Sequence, residues 1–585
     1  MAWRPLGLVL ALGGITACAG PAPTSTNGGT GAPAAALSRA TIYSGGPILT
    51  MAGDAPAYVE AVVVKEGRIA FAGGKGDAVA QAGAAATHAD LAGRTMLPGF
   101  VDAHGHVSAV GLQAIAANLL PPPDGGNDSI AALQATTKAW LASSDVPRRF
   151  GVVVGFGYDD SQLKEQRHPT RDELDAISTD LPIYVIHQSG HLGAANSKAL
   201  ELAGITAATV DPQGGVIRRR ADSKEPDGVL EETAHYAVLY KVVMARFGGD
   251  TALELIQAGQ QLYTRFGFTT AQDGATDPAN VQAFRRAAAA GRLAIDVVSY
   301  PAYVTAVDTP FMKVSKAYDR HFRIAGVKLT LDGSPQGKTA WLTTPYHVVP
   351  AGRPKSYAGY ATMKDAEVEA AVTRSFREGW QVLAHTNGDA AIDQFLKAVT
   401  AASAAVPGTD RRPVAIHAQT ARLDQVEAMN AAGIIPAFFP MHTFYWGDWH
   451  RDSVLGRERA ANISPTGWAL QRGMIFTSHH DAPVALPDSM RVLSATVNRT
   501  TRSGTVLGEG HRVDPYVALK AMTAWAAFQH FEEESKGTIE AGKLADFVIL
   551  SGNPMSVDRA VLARLQVLET IKEGVSVYRA PVTTP

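Results

Sequence analysis

The chain has 585 residues, with 53 Lys and Arg against 55 Asp and Glu, 46% hydrophobic residues, 7% aromatics and one cysteine. A net charge of -2 is not that of a nucleic-acid-binding protein, which carries a basic stripe, and a mean hydropathy of -0.01 excludes a mostly disordered chain. One cysteine permits no intramolecular disulfide, so stability has to come from packing.

Residues 1–17 read as a signal peptide: Arg4 precedes an apolar run from Leu6 to Ala17, shorter than the roughly 20 residues of a membrane span. Ile15-Thr16-Ala17-Cys18 resembles a bacterial lipobox, whose cysteine is lipidated after cleavage in front of it. The alternative is an ordinary signal with an incidental cysteine; against it, the chain's single cysteine stands where lipidation needs it. Residues 18–37 carry no charge and suit a flexible tether. The expectation is an exported envelope lipoprotein, held to the membrane by its lipid alone. Its resemblance to lipoproteins implies the outer membrane, because Ala19 rather than Asp follows Cys18.

From residue 38 to 97 the texture is short strands and Gly-rich turns, including two strands around Glu66-Gly67. The same texture returns over 535–585, in Gly537 to Leu550 and Gln566 to Tyr578. Between them, over 98–534, apolar strand-like runs alternate with Ala-rich helical stretches such as Asp365 to Glu378 and Leu423 to Ala432, which indicates a parallel α/β architecture. Candidate strands are Met96–Ala103, Phe268–Gln272, Ile295–Tyr300, Arg323–Leu329, Gln381–His385, Pro413–His417, Ile434–Phe438 and Met474–Ser478. Eight is the number a (β/α)8 barrel requires. Two further runs, Gly151–Phe156 and Ile183–Ile186, fall in an insertion at about 107–262.

Chemistry-bearing residues gather at the C-terminal ends of those strands, where barrel enzymes build their sites. His104 and His106 stand at i and i+2 past the first strand, so both imidazoles can face one metal. Lys328 lies inside an apolar run expected to be buried on both faces. A buried cation is costly, and one solution is reaction of the neutral amine with CO2 to a carbamate able to bridge two metals; the alternative is a lysine that snorkels from the strand end or pairs with Asp332. His385 and His417 each close an apolar strand, and Asp481 follows the last one. Singly, each has a structural explanation: a hydrogen-bonded core histidine, or a helix cap at Asp481.

The ordered set LPGFVDAHGHV, GHLGAANSKAL, DGVLEETA, GFTTAQDG, GVKLTLDGSPQGKTA, AHTNGDAAID, IHAQ, SHHDAPV and KGTIEAGKLADFVIL is similar to the amidohydrolase superfamily, in its YtcJ-like branch, amidohydrolase family 3. The resemblance implies a barrel flanked by a small composite β-sandwich of residues 38–97 and 535–585. It implies His104 and His106 on one divalent ion, His385 and His417 on a second, carbamylated Lys328 between them, and Asp481 as both ligand and catalytic base. Zinc is the expected metal, with one or two ions per chain. Such ions would activate water as hydroxide for attack on a carbonyl, with Asp481 taking and returning the proton. The implied substrate is a small molecule with an amide or cyclic amide bond that is not a peptide. The ligand set leaves open an esterase or lactonase, and a non-catalytic binding protein is the remaining alternative. Ile416 before His417, Pro335-Gln336-Gly337-Lys338 and His479-His480 before Asp481 depart from the family pattern without touching the ligands.

In the insertion, His191 is expected by similarity to face the substrate and stabilise developing oxygen charge. His187 is either a second such group or a structural histidine. Met441 to His450, with Trp446 and Trp449, is expected as a wall for an apolar substrate group or as packing onto a neighbouring helix. Asn387-Gly388-Asp389, just after His385, either orients that histidine or is a turn followed by a helix cap.

Overall fold

The computed structural model describes residues 39–581 apart from 311, 351 and 409. The expected signal peptide, the tether and the lipid-bearing Cys18 lie outside the described residues.

Both ends of the described chain build one sheet. The strands Thr41–Leu49, Tyr58–Lys65, Arg68–Gly73 and Thr95–Pro98 share it with Phe547–Leu550, Val567–Lys572 and Val575–Arg579. The seam is antiparallel, with Phe547 opposite Pro98 and Leu550 opposite Thr95. Glu66 and Gly67 both take positive φ, 49° and 74°, which is the backbone a tight two-residue hairpin between right-twisted strands requires.

Nine parallel strand segments form two arcs. Phe100–Val101, Phe268–Thr276, Asp296–Pro301 and Phe322–Ile324 make the first. Gly326–Thr330, Gln381–Thr386, Val414–His417, Ile435–Phe438 and Thr477–Ser478 make the second. The arcs meet at Ala325, whose N–H donates to Ser299 O at 3.0 Å, and at a parallel bridge between Ala302 and Lys328. Across the other gap, Asp481 N donates to His104 O at 3.2 Å and His106 N to Ala482 O at 2.8 Å. Helices such as Pro278–Ala289, Asp365–Arg377 and Asp389–Ala405 pack Phe284, Phe376 and Phe395 into the core around these strands. The result is a mixed α/β fold.

Three expectations are corrected in detail. Met96–Ala103 is not one strand: Thr95–Pro98 pairs with Phe547–Leu550, and after Gly99 the chain changes sheets so that Phe100–Val101 pairs with Phe268–Thr276. Arg323–Leu329 is interrupted at Ala325, where the two arcs meet. Of Gly537 to Leu550 only Phe547–Leu550 is strand. The runs assigned to the insertion are strands Val153–Tyr158 and Ile183–His187 of a separate six-stranded sheet, with its own core of Val154, Phe156, Tyr184, Ile186 and Leu230.

At the N-terminal ends of the parallel strands lies a buried ionic network. Asp296 accepts from Lys536 Nζ and Lys572 Nζ at 2.7 Å each and from His321 Nδ1 at 2.7 Å. Lys572 also reaches Asp546 at 2.9 Å, Lys536 reaches Glu532 at 2.5 Å, and Arg323 donates to Glu532 at 2.6 Å. It fastens the C-terminal segment to the parallel strands.

Candidate metal and active site

At the opposite ends of the strands the expected residues come together. His104 is fully buried, and its Nδ1 lies 2.6 Å from Gln272 Oε1. His106 Nδ1 donates to Gly274 O at 2.7 Å. Because amide and carbonyl oxygens accept only, both imidazoles carry hydrogen on Nδ1, which leaves Nε2 for a ligand when the ring is neutral. Gly274 has to be glycine here: a Cβ would lie 2.7 Å from His104 Cε1 and 3.3 Å from His106 Cε1.

Both Nε2 atoms lie 3.3 Å from Asp481 Oδ1, and the three donor groups sit within 4.8 Å of one another. Burial drives the His104 pKa well below its ordinary value, with Lys328, His106 and His479 adding to the effect. A neutral imidazole thus turns its lone pair toward a carboxylate oxygen that has no hydrogen-bond partner. Such a convergence is unfavourable by itself and favourable around a cation, so nitrogen and oxygen donors here fit a divalent metal.

Lys328 Nζ lies 3.1 Å from His104 Nε2. Burial lowers its pKa to about 7, against the opposing charge of Asp481. Asp332 does not pair with it. Asp332 Oδ1 instead takes His385 Nδ1 at 3.0 Å, and the carboxylate accepts backbone N–H groups of Trp341, Asn387 and Gly388. Burial raises Asp332 to about 7 in spite of these donors. His385 lies 4.6 Å from His417, ring to ring, and Asn387 Nδ2 approaches its Nε2 at 3.2 Å. His417 Nε2 is 3.8 Å from Asp481 Oδ2, and its Nδ1 has no partner. Burial lowers the pKa of both rings, helped by His191 at His385 and by His385 at His417. His417 and Asp481 hold φ of 70° and 55°, strained values for side-chain-bearing residues.

His191 joins this group: its ring is 4.7 Å from that of His385, and its Nδ1 is 2.7 Å from Glu232 Oε2. Burial lowers its pKa, but Glu232, then Asp481 and Asp332, outweigh that and raise it overall. His187 is not brought here. Its nitrogens are taken by Ser189 Oγ at 2.9 Å and Asp160 Oδ1 at 3.0 Å, and its ring packs on Tyr158 and His168. The expected aromatic wall is the helix Met441–Trp449; Trp446 is buried with its indole N–H on Asp159, and Trp449 donates to Gln336 O at 3.1 Å.

Four participants escaped the sequence reading. Asp102 accepts from His104 N and Gln272 N at 3.0 Å each, lies 3.3 Å from His480 Nε2, and is raised by burial to about 7. Gln272 and Glu232 stand inside quoted motifs, but their partners are distant in sequence. His479 is fully buried, 5.2 Å from His104 and 5.1 Å from His417 by ring centroid, and stacks on Phe439.

The amidohydrolase family model matches residues 88–578. An N-substituted formamide deformylase of Arthrobacter pascens is 27% identical over 533 residues, covering 89% of this chain and 95% of the relative. The YtcJ protein of Bacillus subtilis is 28% identical over 556 residues, 92% of this chain and 99% of the relative. A metal-dependent hydrolase structure from Pyrococcus horikoshii, 24% identical, superposes with a TM-score of 0.70 over 89% of this chain and 99% of its own. The match from 88 to 578, which spans every donor described above, means that the chain belongs to the amidohydrolase family of metal-dependent hydrolases of carbon–nitrogen bonds.

Proposed function

We propose that this protein hydrolyses an amide or cyclic amide bond, other than a peptide bond, in a small molecule. The observation that carries the reading is the convergence of His104 Nε2, His106 Nε2 and the unpartnered Asp481 Oδ1. These three would hold one divalent ion, with zinc as the first candidate; His385, His417 and a carbamylated Lys328 would hold a second. Carbamylation needs a neutral amine, which burial supplies at Lys328, and it forms the N–C bond to CO2 with loss of one proton. A bound divalent metal supplies Lewis acidity, lowering the pKa of water and polarising a carbonyl oxygen.

The chain's own residues do the rest. Asp481 lies beside His104, His106 and His417, where its carboxylate accepts the proton of the attacking water and returns it to the leaving nitrogen. His191 stabilises the charge developing on the carbonyl oxygen. Gln272 and the Gly274 carbonyl fix the ring orientations of His104 and His106, and Asp332 that of His385. In this reading the two arcs close into a (β/α)8 barrel, and the sheet shared by both chain ends is its flanking sandwich. The leader and Cys18 extend it to an exported, lipid-anchored enzyme, supported by the lipobox-like sequence.

The test is metal analysis of the purified protein coupled to a hydrolysis screen of N-acyl compounds, N-substituted formamides and cyclic amides, with esters and lactones alongside. Turnover of an amide that needs stoichiometric zinc and falls at least about 1,000-fold in Asp481→Asn is expected. Undiminished turnover in that variant refutes the assignment of the base; turnover of esters or lactones alone refutes the bond class.

A further inference from the structure

Glu232 ends the strand Pro226–Glu232 of the inserted sheet and precedes the helix Thr233–Val238. Its backbone sits at φ 49° and ψ -120°, a conformation costly for any residue with a Cβ. Strain of this kind persists where the surroundings fix the side chain, and here they do so from both sides. Oε2 accepts from His191 Nδ1 at 2.7 Å, and Oε1 accepts from Thr339 Oγ1 at 2.7 Å. Glu232 N also donates to His191 O at 2.8 Å, so the two residues are joined through backbone and side chain. Thr339 is itself held by Ser334 N, which donates to its Oγ1 at 2.9 Å. Space for the carboxylate depends on Gly333, where a Cβ would stand 2.2 Å from Glu232 Oε1.

Committing His191 Nδ1 to a carboxylate leaves Nε2 on the far side of the ring, and that ring lies 4.7 Å from His385. Among the described residues no hydrogen bond engages His191 Nε2. We propose that Glu232 is a positioning residue: it grips His191 Nδ1 and so aims His191 Nε2 at the reacting carbonyl, while Thr339 and Gly333 hold the Glu232 carboxylate in place. The proposal rests on the role given to His191 above. It also ties the insertion to the loop that follows Gly326–Thr330, since Thr339 belongs to that loop.

The experiment compares zinc-loaded wild type with Glu232→Ala, Glu232→Gln and Gly333→Ala, on whichever N-substituted formamide or cyclic amide the wild type hydrolyses. Zinc content and crystal structures are recorded for each. Glu232→Ala is expected to lower kcat about 100-fold with KM changed less than about threefold and zinc per chain unchanged. Glu232→Gln keeps an acceptor for Nδ1–H and is expected to recover most of that loss; Gly333→Ala, which displaces the carboxylate, is expected to resemble Glu232→Ala. Wild-type kcat in Glu232→Ala overturns the proposal, and so does a loss of kcat that follows loss of zinc. Should the wild type hydrolyse nothing, the hydrolase reading falls separately; the Glu232→Ala crystal structure then decides, a turned His191 ring supporting the positioning role and an unmoved ring overturning it.

Discussion

The two ends of the parallel strands bury ionisable groups in opposite ways. At the N-terminal ends every charge is answered: Asp296 by Lys536 and Lys572, Asp546 by Lys572, and Glu532 by Lys536 and Arg323. At the C-terminal ends no lysine or arginine among the described residues pairs with a carboxylate of the site: His104 and His106 turn Nε2 toward Asp481, Lys328 Nζ stands 3.1 Å from His104 Nε2, and Asp102 and Asp332 lie buried against N–H donors and imidazoles. The first region completes itself from the chain's own residues. The second leaves Asp102, Asp332 and Asp481 without a lysine or arginine partner among the described residues, which suits a candidate site for a metal ion.

The contrast breaks most severely if the balanced end loses its cations. Deleting everything after residue 535 removes Lys536, Asp546 and Lys572 together with three strands of the sheet shared by both chain ends. No soluble protein is expected; a soluble, fully active truncation, read by gel filtration and assay, would refute the structural role of this segment. Asp296→Asn is the next largest change. It leaves two buried lysines without their common carboxylate, and about 3–5 kcal/mol of stability is expected to go, measured by urea unfolding. A loss under about 1 kcal/mol would mean that the network relaxes around the gap.

At the other end the sign of the effect depends on the metal. In chelator-stripped protein, Asp481→Asn changes a carboxylate whose Oδ1 has no hydrogen-bond partner, so little destabilisation is expected. With zinc at about 100 times its Kd, the wild type should gain roughly 2.7 kcal/mol, and the variant most of that gain should lose. Thermal unfolding with and without zinc reads both. A stripped variant markedly less stable than stripped wild type would show that Asp481 is held by the chain and not reserved for an ion.

The same contrast explains what was legible in the sequence. Candidate ligand residues at strand ends carry a local signal, a histidine or aspartate closing an apolar run, and the structure brings His104, His106, Lys328, His385, His417 and Asp481 near one another. Partners do not carry such a signal. Gln272 meets His104 across 168 residues and Lys572 meets Asp296 across 276, separations over which no periodicity speaks. The division of Met96–Ala103 between two sheets was hidden for a related reason, because an unbroken apolar run looks the same whether one sheet or two bury it. His187 shows the limit from the other side: its motif resembles that of His191, and only the neighbouring Asp160 and Ser189 commit it to the interior of the insertion.

The smallest expected effect is a pair of opposed pH slopes in the metal-stripped protein. Glu532 is depressed to about 2 from an ordinary 4.5: burial opposes this, and Lys536 and Arg323 overcome it. Its depressed value in the folded state contributes stability that is present above pH 4.5 and lost as pH falls toward 2. Asp332 is raised by burial to about 7 from 3.8, so between those values the folded state binds more protons than the unfolded one, and stability falls as pH rises through that window. Glu532 therefore adds a limb that rises with pH on the acid side, and Asp332 together with Asp102 adds one that falls toward neutrality, superposed on the stability that the depressed imidazoles of His104, His385 and His417 add as pH rises. Relative to the wild type, Glu532→Gln should remove the first limb and leave the second, whereas Asp332→Asn should reduce the second, which Asp102 shares, and leave the first. Unfolding free energies between pH 2 and 8 decide the matter, and two variants that flatten the same limb would show that the ends of the strands do not differ in the sense argued from their charges.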